Sequence, residues 1–145
     1  MTNATMTKFG FPDTLVADYQ HWCVLLRPAQ ATLGALVLAC KDDARAFADI
    51  PGPAFAELAV ATRAIERSLA AFRAFDRINY LMLMMVDPDV HFHVLPRYST
   101  AQDYRGTTFE DAGWPAVPDL SRAVTLDPET RDRLVADLRR VWIDG

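Results

Sequence analysis

Two of the chain's three histidines stand one residue apart in the stretch VDPDVHFHVLPRY, residues 86–98, with an aspartate two residues ahead of them. An extended strand turns successive side chains to opposite faces, so Asp89, His91 and His93 share one face and Val90, Phe92 and Val94 share the other. The apolar set suits burial against a second layer. The remaining face presents two imidazoles and a carboxylate. Near neutral pH an imidazole offers an unprotonated nitrogen that can attack an electrophile, bind an anion through its N–H, or ligate a metal. Three chemistries are therefore open: covalent attack on an electrophilic centre, ligand binding without turnover, and a metal site in which His-x-His is completed by Asp89 or by the distant His21. The plain alternative for one such residue is a solvated polar side chain. Two histidines and an acid in strict alternation argue for a site.

A strand of this kind needs neighbours to hold it. Upstream, INYLMLMMV reads as a strand joined through Asp87-Pro88-Asp89 to the histidine strand, and so short a link containing a proline favours an antiparallel hairpin. CVLLR and LGALVLAC are apolar runs separated by a turn at Pro28 and read as a strand pair, with Gly34 permitting a bulge or a close backbone approach. Between these pairs, Phe55, Leu58, Thr62, Ile65, Leu69 and Phe72 recur at helical spacing, which predicts a long amphipathic helix. FPDTLVADYQHW predicts a short helix entered through Asp13, with Leu15, Val16 and Tyr19 on one side. Residues 99–127, rich in Pro, Gly, Asp and Thr, read as an irregular segment anchored by Phe109 and Trp114. Asp127 and Pro128 then begin a last helix, through residue 142, with Leu134, Leu138, Val141 and Trp142 as its buried stripe. The sum is an α+β chain: an antiparallel sheet of about five strands, a long helix packed on it and a C-terminal helix, expected as one domain over 1–145 with its core in 13–98.

Composition narrows the function. At 145 residues the chain suits one core rather than two. A net charge of -4 argues against a nucleic-acid-binding module, which needs a basic surface, while leaving room for a local phosphate pocket. Cys23 and Cys40 lie in apolar runs without metal-ligand spacing and read as free thiols of a cytoplasmic protein. The N-terminal stretch lacks the apolar centre of a signal peptide and no run is long enough to span a bilayer, so no membrane partner is expected.

DVHFHVLPRY resembles the signature of the histidine triad superfamily, in which three histidines alternate with apolar residues and Pro-Arg commonly follows. In that register Asp89 occupies the first triad position, His91 the middle and His93 the last. RINYLMLMMV is similar to the family strand that precedes the signature, and QATLGALVLACK to its glycine-containing segment; the likeness covers roughly residues 22–98. The resemblance implies a nucleotidyl hydrolase or transferase for a nucleoside phosphate ligand, of dinucleoside polyphosphate or phosphoramidate type, with His91 as nucleophile. His93 would bind or polarise the phosphate, and Asp89 would orient or raise the pKa of a neighbouring imidazole. It places Arg27 and Gln30 near ribose and base contacts and matches Asn79 to a strand asparagine, and Arg97 becomes a candidate phosphate contact. It implies no cofactor and a homodimer.

Three departures stand beside the match. A carboxylate at position 89 repels phosphate. The segment MMVDPD lacks the glycine, glutamine and hydroxyl residues that the family places before its triad as donors to the leaving group, and Ala35 stands where a histidine usually follows the glycine. These keep open a non-catalytic, nucleotide-binding or regulatory protein on the same scaffold, beside the metal-dependent alternative.

Overall fold

The computed structural model describes residues 2–144. In chain order it forms α1 (Ala4–Lys8), β1 (Leu15–Asp18), β2 (Trp22–Leu26), β3 (Ala29–Gln30), β4 (Leu36–Cys40), α2 (Gly52–Phe72), β5 (Arg77–Leu81), β6 (His91–Arg97), β7 (Gln102–Tyr104), β8 (Thr107–Phe109), β9 (Val124–Thr125) and α3 (Pro128–Val141). Five strands make one antiparallel sheet in the order β1-β2-β4-β6-β5. Its central strands β2 and β4 are buried along their whole length. That explains their unbroken apolar sequences, because both faces of the sheet are covered.

The two faces carry different cores. Val24, Leu26, Leu36, Leu38, Cys40, Val90 and Val94 meet Ile65 and Leu69 of α2 and Leu134 and Leu138 of α3. On the reverse, Cys23, Leu25, Val37 and Ala39 are covered by Met6 and Phe9. The long helix is present, but its buried stripe runs through Ala54, Ala61, Ala64, Ile65, Ser68 and Leu69, with Leu58 and Phe72 partly buried beside it and Phe55 38% exposed. Small residues let the helix lie close to the sheet, where the Trp22 indole N–H reaches the Ala54 carbonyl at 2.8 Å. Gly34, at φ +89°, turns the chain into β4, a conformation that favours glycine.

The helix expected to begin at Asp13 is absent. Residues 15–18 are instead the edge strand β1, paired with β2 through Leu15↔Leu25 and Asp18↔Cys23. Leu15 packs toward one core and Val16 and Ala17 toward the other. A stretch this short has little helical stability of its own, and the open edge of β2 offers it a hydrogen-bonded ladder. The helix forms earlier, at Ala4–Lys8, where Asn3 Oδ1 accepts from the Met6 N–H at 2.9 Å. Within the segment expected to be irregular, β7 and β8 form a hairpin and β9 pairs with β3. Phe109 is buried there, whereas Trp114 is half-buried over the sheet margin. Asp127 caps α3 by accepting from the Thr130 N–H at 2.7 Å, and Val135, rather than Val141, joins Leu134 and Leu138 in the core.

Candidate active site on the histidine strand

β6 lies between β4 and β5, and this register sets the histidines. His91 stands opposite Ala39 and His93 opposite Val37, small or branched apolar neighbours that leave the imidazoles upright on the sheet. The two rings are 5.2 Å apart, centroid to centroid, edge to face. Phe9 lies 5.7 Å from both. The turn after it passes through Gly10 at φ +91°, where an added Cβ would come within 2.7 Å of Thr14 Cγ2. Under this cover His91 is 2% and His93 7% exposed.

Hydrogen bonding assigns the nitrogens. His91 Nδ1 lies 2.7 Å from the backbone carbonyl oxygen of Asp89. A carbonyl only accepts, so Nδ1 carries the hydrogen and the lone pair of the neutral ring is on Nε2. His93 is held the opposite way round: its Nδ1 accepts from Arg27 Nε at 3.3 Å. Burial first, and then the Arg27 guanidinium, push the His93 pKa down to about 4, so the ring is neutral at pH 7. Arg27 sits just past the end of β2, anchored by a second bond from Nη1 to the Ala29 carbonyl.

Asp89 belongs to the site through its backbone rather than its carboxylate. Oδ2 accepts from the Thr5 N–H at 3.3 Å and the Thr5 hydroxyl at 3.0 Å, and Oδ1 lies 4.0 Å from Arg45 Nε. The expectation that this carboxylate orients an imidazole is therefore corrected: the main-chain oxygen of the same residue makes the contact. Four residues before His91, Asp87 pairs with Lys8 at 2.8 Å, a second tie between the β5–β6 connection and α1.

The other residues singled out in the sequence do not converge on the histidines. Gln30 is buried and ties its own loop, donating to the carbonyls of Arg27 and Ala35 and accepting from the Gly34 N–H at 2.8 Å. Arg97, 4% exposed, has Asp111 for a bidentate partner at 2.6 and 2.9 Å and donates to Asn79 Oδ1 and the Ala116 carbonyl. In place of a phosphate, the structure gives this arginine three intramolecular acceptors, which pin residues 111–116 to the sheet. His21 bonds Asp42 at 2.7 Å, beside β2's opposite end. Among the described residues no group of three His, Cys, Asp or Glu side chains is placed to hold a metal ion, so the His-x-His metal reading lacks a third ligand there. Thr5 and Phe9 were not legible as site residues, because nothing in ATMTKFGFP has a period that ties it to a strand roughly eighty residues away.

No family model and no curated protein matches the sequence. Solved structures do. A histidine triad protein from Bradyrhizobium japonicum superposes with a TM-score of 0.70 at 17% identity over 98% of both chains. One from Marinobacter aquaeolei gives 0.70 at 16% identity, over 98% of this chain and 95% of its own. One from Sinorhizobium meliloti gives 0.69 at 15% identity over 97% and 95%. The chain has the histidine triad fold.

Proposed function

We propose that the chain is a nucleotide-binding hydrolase or nucleotidyl transferase that works through a nucleotidyl-histidine intermediate. The supporting observation is the fixed tautomer of His91, whose Nδ1–H is tied to the Asp89 carbonyl at 2.7 Å, leaving the Nε2 lone pair for attack. Nε2 bonds to the α-phosphorus of a nucleoside phosphate as the bond from phosphorus to the leaving oxygen or nitrogen breaks, the electron pair going with the leaving group. Water then attacks phosphorus, the N–P bond breaks, its pair returns to Nε2, and the water proton passes to solvent. MMVDPD carries no hydroxyl or amide side chain, and Met85 and Val86 are 85% and 80% exposed. Protonation of the leaving group therefore falls to solvent, which favours substrates whose leaving group departs readily. His91 is 2% exposed, so a phosphate reaches it only after the surrounding cover opens.

The reading is tested by mixing the protein with a panel of nucleoside phosphoramidates and dinucleoside polyphosphates, quenching in alkali and mapping adducts by mass spectrometry. A nucleotidyl group on His91 is expected. Binding of nucleoside monophosphate without adduct or turnover across the panel would favour the non-catalytic, regulatory protein instead.

The same reading includes a homodimer and a cytoplasmic setting. β5 is the outer strand of the sheet, and on the face away from the histidines Phe47, Phe55, Leu58, Tyr80 and Phe92 line an apolar groove of about 450 Å³. A second copy covering it would bury that surface. Cys23 and Cys40 are unpaired and buried, and no helix among the described residues is long and apolar enough to cross a membrane.

A further inference from the structure

His93 and His91 occupy the same face of one strand, yet the structure holds them in opposite protonation patterns. At His91 the contact is a carbonyl and the hydrogen is on Nδ1; at His93 the contact is a guanidinium, which has donors and no acceptor, so the lone pair is on Nδ1 and the hydrogen on Nε2. We propose that Arg27 is a positioning residue that keeps His93 neutral and points its Nε2–H at the phosphoryl group, making His93 a fixed hydrogen-bond donor and not a proton donor. This rests on the phosphoryl-site reading for the identity of the acceptor, though not for the protonation pattern itself.

The distinction has chemical content. For His93 to give up its Nε2 proton it would have to leave an imidazolate, or take a proton onto Nδ1 at the same time. Arg27 Nε–H occupies Nδ1, and a guanidinium does not hand over a proton near neutral pH. Protonating Nδ1 would set two N–H groups against each other and add a second positive charge to a buried site. The charged and titratable groups facing His93 are Arg27 after β2, His91 on its own strand, Lys8 on α1 and Asp87 in the β5–β6 connection; only Asp87 favours the imidazolium, and it is already paired with Lys8. One imidazole thus supplies the attacking lone pair. The other supplies a hydrogen bond to the non-bridging oxygen on which charge grows as phosphorus becomes five-coordinate, a stabilisation that needs no proton transfer and no reorganisation.

The experiment is a long-range proton–nitrogen correlation spectrum of the full chain carrying ¹⁵N-labelled histidine, recorded without substrate between pH 5 and 9. Wild-type His93 should show the Nε2–H tautomer throughout, with no titration near 6.5, while His91 shows Nδ1–H at high pH. In Arg27→Met the His93 tautomer should become mixed and its titration midpoint should rise, by less than the full distance to 6.5 because burial remains. Arg27→Lys, which keeps a donor, should restore the Nε2–H form where Met does not. A wild-type His93 that carries its hydrogen on Nδ1 or titrates near 6.5 overturns the proposal without any variant, and so does an unchanged tautomer in a folded Arg27→Met protein. Failure of the protein to turn over nucleotides leaves these spectra unaffected, so the two readings fail separately.

Discussion

Thr5 and Asp89 clasp each other across 84 positions of the chain. The Thr5 hydroxyl donates to Asp89 Oδ2 at 3.0 Å and accepts from the Asp89 N–H at 3.3 Å, while the Thr5 N–H donates to the same carboxylate oxygen. Both residues are buried, at 1% and 6% exposure. The acid that stands in the first position of the triad register thereby holds α1, and with it Phe9, over the two histidines. A histidine there would present an imidazole where Thr5 needs two acceptor contacts on one oxygen.

Replacing the carboxylate should therefore loosen the N-terminal segment before it loosens anything else. Asp89→Ala leaves a buried N–H and hydroxyl of Thr5 without their acceptor, a cost of about 1–3 kcal/mol, or roughly five- to 150-fold in local opening. Hydrogen exchange should quicken over residues 5–9 and stay unchanged in β2 and β4. Acceleration spread evenly through the sheet would mean that the clasp supports the whole fold and not the cover alone.

The Arg97–Asp111 pair makes a different kind of contribution. Its side chains are 4% and 2% exposed and joined at 2.6 Å, so removing one partner strands a charge away from water. Asp111→Ala is expected to lower unfolding free energy by about 3–5 kcal/mol, and the double replacement Arg97→Met, Asp111→Leu by clearly less. Urea denaturation of the three proteins measures both. Equal losses in the single and double variants would place the effect in packing rather than in the stranded charge.

Much of this was legible in the chain. Strict alternation placed Asp89, His91 and His93 on one side and Val90 and Val94 on the other; Asp127-Pro128 marked the start of α3; and two apolar runs around Pro28 gave the central strands, because each signal is local and set by the period of its own backbone. What failed was non-local. The expected helix after Asp13 lost to the open edge of β2, a partner no local pattern announces. Arg97 read as a candidate phosphate contact because Asp111, its partner in the fold, lies in a proline-rich stretch whose path the sequence does not fix. For the same reason Gln30 and Asn79 read as ligand contacts, although in the fold their polar atoms answer neighbouring backbone and arginine groups.

His93 also gives the fold an acid sensitivity with a definite sign. Its folded pKa, near 4, lies below the ordinary 6.5, so between these values the unfolded chain binds a proton that the folded chain does not. Stability is then full above about pH 6.5 and falls as pH drops toward 4, by about 3 kcal/mol at most, after which this group contributes no further change. His93→Gln should flatten that part of the pH–stability curve measured by thermal or urea unfolding. A slope between pH 4 and 6.5 that persists in the variant would have to come from other groups, and His93 would then not be neutral by burial.

The last expectation concerns the division of labour within the pair. If His91 Nε2 forms the bond to phosphorus, His91→Ala should abolish the nucleotidyl adduct with every substrate of the panel, since no other lone pair stands at that place on the strand. If His93 acts as proposed, by donating a hydrogen bond, its replacement should slow the reaction by an amount that tracks the donor and not the ring. His93→Ala is expected to cost about a hundredfold or more, the usual loss for one such donor to a developing oxyanion. His93→Gln, whose amide N–H₂ can reach the same oxygen, should recover part of it and keep a pH–rate profile like that of the wild type, since no proton of His93 moves in the step. Single-turnover rates with alkaline quench and adduct mapping test this, because a phosphohistidine survives base better than acid. An adduct on His93, or a Gln variant no faster than Ala with a shifted pH profile, would assign proton transfer or attack to His93 and reverse the roles given to the two rings.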